Sequence, residues 1–218
     1  MKPTAVIFDM DGLLIDSEPY WEEAGKETLA EYGVALQNEL YHVTTGLRTK
    51  EWVQYWFAYF DIDMKHVEVA EATIVGKAID KIRANGQPMP GVQYIFDFFR
   101  NQGYKIGIAT SSPLALVNVV IEKLGIGQYL DAIRSAEFLP YGKPHPQVYL
   151  DCAEALGVSQ LQCICFEDSF NGMIAVKAAR MKCIVIPAPE QHIETRWDAA
   201  DIKLRSLEEV NASMIGAL

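Results

Sequence analysis

Two aspartates one residue apart, Asp9 and Asp11, follow the apolar run 5–8 near the start of the chain. A short apolar run predicts a buried parallel strand, and because side chains alternate along a strand, both carboxylates lean the same way. Open α/β sheets hold their ligands at the carboxyl ends of their strands. Because like charges this close repel, the pair predicts a bound cation or a shared proton. Taken alone, the pattern is equally typical of an Asp-rich turn.

Hydroxyl groups and a lysine follow later strands of the predicted sheet. Thr110, Ser111 and Ser112 come directly before a helix that is predicted to begin at about Pro113. Hydroxyls and free backbone N–H groups at a helix start can bind a phosphate, although a simple helix cap is an alternative. Lys143 lies between a glycine and a proline. Its ammonium could neutralise a carboxylate and a phosphoryl oxygen together, or it could be a solvated loop lysine.

A second acidic pair, Glu167 and Asp168, ends another apolar strand and precedes a predicted helix. Two acids in this position could complete an oxygen site for Mg²⁺, which binds one or two carboxylates together with water and phosphate oxygens. A capped helix start with acids near its positive end is the alternative. Each cluster is weak evidence alone, but four clusters at the carboxyl ends of predicted strands indicate a single site.

The composition is that of a folded protein with an acidic surface. The chain has 218 residues, of which 50% are hydrophobic and 22% charged, and its net charge is −10. This charge argues against a nucleic-acid or anionic-membrane partner, because binding phosphates over a surface needs basic patches. No apolar run is long enough to span a bilayer, and the first strand begins at once, so we expect no signal peptide and a cytoplasmic protein. The cysteines lack the paired spacing of a zinc site and are typical of small buried residues: Cys152, Cys163, Cys165 and Cys183.

Periodicity divides the chain into two kinds of structure. Apolar residues at helical spacing predict helices over 16–33, 49–60 and 67–82. After a glycine- and proline-rich linker at 85–91, strands and helices alternate, which predicts a parallel sheet between helices. We therefore expect an α/β fold with a Rossmann-like parallel sheet core formed by residues 1–15 and 87–218. Residues 16–86 form an inserted helical-bundle cap domain in this prediction.

The four clusters, in this order, resemble the haloacid dehalogenase-like hydrolase superfamily. The matching residues are Asp9-Met10-Asp11-Gly12, Thr110, Gly142-Lys143-Pro144 and Glu167-Asp168-Ser169. The resemblance covers essentially the whole chain, and the helical insert resembles the mobile cap of the β-phosphoglucomutase-like branch. Segments 11–19 and 140–152 are similar to the bacterial 2-deoxyglucose-6-phosphatase, or hexitol phosphatase, group. Members of that group dephosphorylate small sugar and sugar-alcohol phosphates.

This resemblance implies a role for each polar residue. Asp9 is the nucleophile and forms an aspartyl-phosphate, which divides the hydrolysis into two easier steps. Asp11 protonates the leaving sugar oxygen and then deprotonates the water that cleaves the intermediate. Thr110 and the Ser111 amide bind the phosphoryl oxygens, and Lys143 links the phosphate to the nucleophile.

The resemblance also implies a metal cofactor, Mg²⁺. Its ligands would be the Asp9 carboxylate, the Asp11 backbone carbonyl, Asp168 and a phosphoryl oxygen. Of the second acidic pair we favour Asp168 as the direct ligand, with Glu167 a ligand or an acid behind it.

In the cap, the loop 44–49 is the candidate for recognising the sugar, and Arg48 could contact its hydroxyls or phosphate. A surface arginine is the alternative. A phosphosugar mutase is the nearest rival function. In β-phosphoglucomutases a cap histidine occupies the place of Trp21, so this chain is expected to hydrolyse its substrate instead. The acidic pI and the resemblance together favour a monomer that acts on a small phosphorylated sugar.

Overall fold

The central element of the fold is a parallel six-stranded sheet. The computed structural model describes residues 2–44 and 46–218, so Thr45 of the predicted sugar-recognition loop lies outside the described residues. In chain order the strands of the described structure are Ala5–Phe8 (β1), Ile15–Asp16 (β2), Gln87–Pro88 (β3), Lys105–Thr110 (β4), Ala132–Ser135 (β5), Cys163–Glu167 (β6), Lys182–Val185 (β7) and Ile202–Lys203 (β8). Two of these strands, β2 and β3, lie outside the six-stranded sheet. The sheet order is β5-β4-β1-β6-β7-β8, with every pair parallel. The predicted parallel sheet is confirmed.

Helices cover both faces of the sheet, as the alternation of strands and helices predicted. The helices are Glu18–Glu31 (α1), Asn38–Tyr41 (α2), Thr49–Tyr59 (α3), Val67–Asn85 (α4), Val92–Asn101 (α5), Leu114–Leu124 (α6), Gln147–Ala155 (α7), Phe170–Ala178 (α8) and Ala212–Gly216 (α9). Within the part of the chain that the structure describes, none of these helices has both the length and the apolarity needed to cross a membrane.

Strand β1 lies at the centre of the sheet and is buried along its whole length. Its side chains alternate between two cores, as the pleat of a strand requires. Val6 and Phe8 pack into the core that includes α5 and α6, whereas Ala5 and Ile7 pack into the core that includes α7 and α8. An apolar strand covered on both faces is what the run 5–8 predicted.

The inserted segment is helical. The long helix α4 packs against both α1 and α3, and apolar side chains such as Trp56, Phe57 and Ile74 are buried between them. Lys77 and Lys81 of α4 form ion pairs with glutamates on α1, and these pairs extend the packing to the surface. The three predicted cap helices are therefore confirmed, and α4 continues to Asn85.

An antiparallel ribbon of β2 and β3 joins the insert to the sheet. The sequence predicted only a linker here, because two-residue strands that include Pro88 are too short to produce a periodic pattern. The boundaries 15/16 and 86/87 stay predictions, and we propose that this ribbon is the junction between cap and core.

Phe8 provides a test of the core. Its ring is fully buried, and its centroid lies 5.1 Å from that of Phe96 and 5.0 Å from that of Phe166. Phe8→Ala should lower the free energy of unfolding by about 3–5 kcal/mol, because it removes apolar contacts and leaves a cavity. Urea denaturation measures this change. The control is Phe138→Ala, at a ring that is 82% exposed, which should change stability by less than about 0.5 kcal/mol. Equal effects of the two substitutions would contradict the assigned core.

Candidate active site

Three neighbouring strands deliver polar residues to one edge of the sheet. Asp9 follows the last residue of β1, Thr110 is the last residue of β4, and Glu167 is the last residue of β6. Since β4 and β6 flank β1 in parallel, their carboxyl ends meet beside it. The structure thus brings together residues that are far apart in the sequence.

Lys143 reaches this edge from the loop that precedes α7. Its ammonium lies 2.8 Å from Asp9 Oδ1 and 2.6 Å from Glu167 Oε1, and the side chain is only 1% exposed. Within the described residues, Asp9 Oδ1 has no polar partner besides this ammonium. Burial alone would lower the pKa of Lys143, but the two carboxylates outweigh it and raise the pKa above its usual value. The lysine is therefore a fixed positive charge.

Glu167 is completely buried and its carboxylate is fully engaged. Besides Lys143, it accepts hydrogen bonds from the Tyr149 hydroxyl and from the backbone N–H and hydroxyl of Ser169, the last two at 3.2 and 3.1 Å. No motif or spacing indicated the part played by Tyr149, which lies on α7 and meets Glu167 only through the fold. Because its oxygens are so well occupied, Glu167 is suited to holding the lysine in place.

Asp9, Glu167 and Asp168 each place one carboxylate oxygen within 4.8 Å of the others. Burial, strengthened by the neighbouring carboxylates, raises the pKa of Asp9 and of Asp168. Asp168 Oδ1 is buried and has no hydrogen-bond partner among the residues that the structure describes. Two buried acids and the half-buried Asp168, with Lys143 as the one cation paired with them in the described structure, fit the carboxylate donor set of a magnesium ion. Gly12, at φ +72°, allows the close approach of Asp168, because a Cβ at this position would overlap its carboxylate.

Asp11 lies in a different environment from Asp9. Its Oδ1 accepts hydrogen bonds from Ser17 Oγ at 2.7 Å and Trp21 Nε1 at 2.9 Å, and its Oδ2 accepts one from Ser112 Oγ at 2.6 Å. Only the backbone carbonyl of Asp11 is left for the predicted metal contact, which stays a prediction. The sequence analysis did not identify these three donors as partners of Asp11, although Ser17 and Trp21 have the spacing of neighbours on one helix face.

The hydroxyl cluster lies next to these acids. Thr110 is 1% exposed, and its Oγ1 accepts a hydrogen bond from the Ser112 backbone N–H at 3.1 Å. Ser111 Oγ donates to the carbonyl of Gly46, in the cap, at 3.0 Å. The Ser111 hydroxyl is thus committed to the cap, and a phosphate contact of this residue would use its backbone N–H, as predicted.

A cavity between the cap and the sheet edge contains the site. Of the predicted residues, those lining it are Asp9, Asp11, Thr110, Ser111 and Asp168. The cap contributes an aromatic wall and one acid: Glu18, Trp21, Tyr41 and Trp52. Burial and the neighbouring aspartates raise the pKa of Glu18 to about 8. The sequence analysis did not identify this residue as part of the site.

Arg48 does not line this cavity. Its Nη1 donates to the carbonyl oxygens of Ala136 at 3.1 Å and Leu139 at 2.5 Å, and its Nη2 donates to Glu51 Oε1 at 2.6 Å. The placement therefore does not support the predicted contact with a sugar, because both Nη groups of the guanidinium are already used outside the cavity.

Known proteins share this architecture. The sequence matches the model of a hydrolase family, haloacid dehalogenase-like hydrolase, over residues 3–180. Hexitol phosphatase B of Escherichia coli (strain K12) is 45% identical over 210 residues, which are 95% of this chain and 94% of that protein. Fructose-1-phosphate phosphatase YqaB of the same strain is 28% identical over 184 residues, which are 82% of this chain and 94% of that protein. A β-phosphoglucomutase structure from Clostridium difficile has a TM-score of 0.86 at 22% identity, covers 98% of this chain and 95% of its own, and shares the fold. The predicted resemblance is confirmed.

The buried lysine can be tested by stability. Lys143→Met leaves Asp9 and Glu167 facing each other without their cation, and should lower the free energy of unfolding by about 3–5 kcal/mol. The measurement is urea denaturation in the presence of EDTA. Lys182→Met is the control, because Lys182 is 42% exposed in its pair with Asp201 and should contribute at most about 1 kcal/mol. A loss below that of the control would contradict the ion-pair arrangement.

Proposed function

The chain belongs to the haloacid dehalogenase-like hydrolase family and is a phosphatase, and we propose that it hydrolyses small sugar or sugar-alcohol phosphates of the hexose 6-phosphate type. The observation that carries this proposal is the different environment of the two aspartates at one cavity. Asp9 has a buried lysine 2.8 Å away, and Asp11 is held separately by hydroxyl and indole donors. Relatives that bear the names hexitol phosphatase and fructose-1-phosphate phosphatase support the substrate class.

In the first proposed step, a carboxylate oxygen of Asp9 attacks phosphorus, and the bond from phosphorus to the sugar oxygen breaks. Asp11 gives its proton to that oxygen, so the sugar leaves as an alcohol and an aspartyl-phosphate remains. The phosphoryl oxygens are bound by Thr110 and by the backbone N–H of Ser111. Lys143 contributes its fixed positive charge where negative charge accumulates between nucleophile and phosphate.

In the second step, Asp11 takes a proton from a water molecule, and the water oxygen attacks phosphorus. The bond to Asp9 breaks, inorganic phosphate forms, and Asp11 is protonated again for the next cycle. The residues that would hold Mg²⁺ are Asp9, Asp168 and the backbone carbonyl of Asp11, with Glu167 behind them. When bound, the ion cancels the repulsion between the carboxylates and the phosphate.

Hydrolysis is favoured over the mutase alternative by Trp21. An indole N–H is a donor only, so it can orient Asp11 but cannot take up or return a proton. A mutase must also return the phosphoryl group to a second sugar oxygen before water intervenes. We therefore propose water as the second acceptor.

Asp9→Asn tests the nucleophile. Phosphate release from glucose 6-phosphate should fall by about 1,000-fold or more, because an amide is a far weaker nucleophile. A colorimetric phosphate assay with added Mg²⁺ measures it, and EDTA should abolish the wild-type activity. Asp16→Asn, at an exposed acid just beyond the site, is the matched control and should keep wild-type rates. Wild-type turnover that persists in excess EDTA would contradict the metal-assisted scheme.

β-Glucose 1-phosphate separates hydrolase from mutase. The protein should release inorganic phosphate from it without accumulating glucose 6-phosphate, because water accepts the phosphoryl group. Phosphorus NMR of the reaction mixture distinguishes the two products. Build-up of glucose 6-phosphate ahead of inorganic phosphate would instead establish the mutase.

A further inference from the structure

The loop that ends at Lys143 forms several hydrogen bonds with the cap. We propose that Arg48 and Glu51 are positioning residues that hold this lysine loop, residues 136–143, so that closing the cap also seats the Lys143 ammonium between its two carboxylates. The inference concerns the same reaction and rests on the proposed function for the role of Lys143. We call the two cap residues the Arg48–Glu51 clamp.

The clamp binds the backbone of the lysine loop at several points. Arg48 donates to the carbonyls of Ala136 and Leu139 through Nη1, and through Nη2 it lies 3.4 Å from the carbonyl of Pro140. Glu51 accepts a hydrogen bond from the Gly142 backbone N–H at 3.1 Å. The last of these contacts is one residue from the lysine, so any displacement of the clamp is transmitted directly to it.

The two clamp residues also fix each other. Arg48 Nη2 lies 2.6 Å from Glu51 Oε1, and the Arg48 backbone N–H donates to Glu51 Oε2 at 3.3 Å, at the start of α3. Because the guanidinium is planar and charged, it can serve a carboxylate and several carbonyls at once, which a lysine ammonium does less well. Hydrogen bonds from Arg48 and the Gly142 N–H, against the burial of the carboxylate, lower the pKa of Glu51, so it stays ionised.

Besides the clamp, the lysine loop is held through its first half. Ala136 is buried in the core and Leu139 packs against it, whereas Phe138 and Tyr141 are 82% and 66% exposed. Ala136 is tied to the sheet by its N–H to the carbonyl of Thr110. From residue 138 to 142, the hydrogen bonds to other elements in the described structure are those of the clamp.

Gly142 shows how closely cap and loop approach. A Cβ at this position would lie 2.6 Å from Glu51 Oε2 and 2.8 Å from Arg48 Nε, both shorter than ordinary contacts. A side chain at this position would therefore displace the side chains of the clamp. This second observation is independent of the hydrogen bonds and places the contact surface directly before Lys143.

Arg48→Met tests the clamp, because it keeps the apolar stem and removes the donors. The expected result is a fall in kcat for glucose 6-phosphate of about 10- to 100-fold, with a smaller change in KM, since the lysine acts mainly in the transition state. The amide of Gly142 should exchange its hydrogen about 10-fold faster or more in the full chain, measured by mass spectrometry or NMR. Arg48→Lys, which keeps the charge but not the fork, should recover only part of the rate.

The matched control is Lys50→Met. Lys50 lies in the same first turn of α3 and is exposed, and its side chain has no hydrogen bond or ion pair within the described residues. This variant should keep the wild-type kcat and the wild-type exchange at Gly142. A general effect of lost positive charge on the cap would appear in both variants.

Combining Arg48→Met with Gly142→Ala distinguishes positioning from mere stability. If both substitutions release the same loop, the double variant should lose no more activity than the worse single variant. The contact between clamp and loop that the second substitution would disrupt is then already lost. Additive losses, or unchanged kcat and unchanged Gly142 exchange in Arg48→Met, would overturn the clamp. Hydrogen exchange needs no turnover, so the clamp can be judged even if the wild-type protein fails to hydrolyse glucose 6-phosphate, an outcome that would count against the proposed substrate class instead.

Discussion

The burial of several carboxylates at one sheet edge is the constraint on which the rest of the site depends. Asp9, Glu167 and Asp168 lie close enough to share a cation, and burial makes the charged state of Asp9 and Asp168 costly. Lys143 supplies one positive charge from inside the protein. One lysine cannot balance three ionised acids, so the cluster calls for further positive charge or a shared proton. A divalent ion bound by these oxygens would supply positive charge, and the same ion would attract a phosphate to the proposed nucleophile.

Much of the fold could be predicted because it follows from local patterns. The run 5–8 is apolar throughout, which is typical of a strand covered on both faces. The later alternation of strands and helices implies a parallel sheet. Placement of polar residues at the ends of β1, β4 and β6 then brings Asp9, Thr110 and Glu167 together by topology alone. The position of Lys143 was less certain, because the lysine lies beyond the end of the short strand β5 and its placement depends on the whole loop between them.

What the sequence could not predict depends on contacts between distant elements. Tyr149 lies on the buried face of α7, where it is indistinguishable in sequence from any core tyrosine, and only the fold brings its hydroxyl to Glu167. Arg48 was a candidate for contacting the hydroxyls or phosphate of the sugar, with a surface arginine as the alternative. Its guanidinium lies instead against carbonyls of residues 136–140, which are some 90 positions away in the chain. Neither periodicity nor spacing carries information about such a pairing.

The cap orients a residue of the site as well as enclosing it. Ser17 and Trp21 hold one oxygen of Asp11 from α1 and the residue before it, and Ser112 holds the other from the sheet edge. A carboxylate divided in this way between two parts of the molecule is oriented only while both parts are in contact. Asp9 meets Lys143, whose loop contacts the cap through Arg48 and Glu51. Under the proposals above, closure of the cap would therefore set both the proposed nucleophile and the proposed proton donor in place. Closure would thus delay proton transfer to the leaving oxygen until the substrate is shielded from solvent.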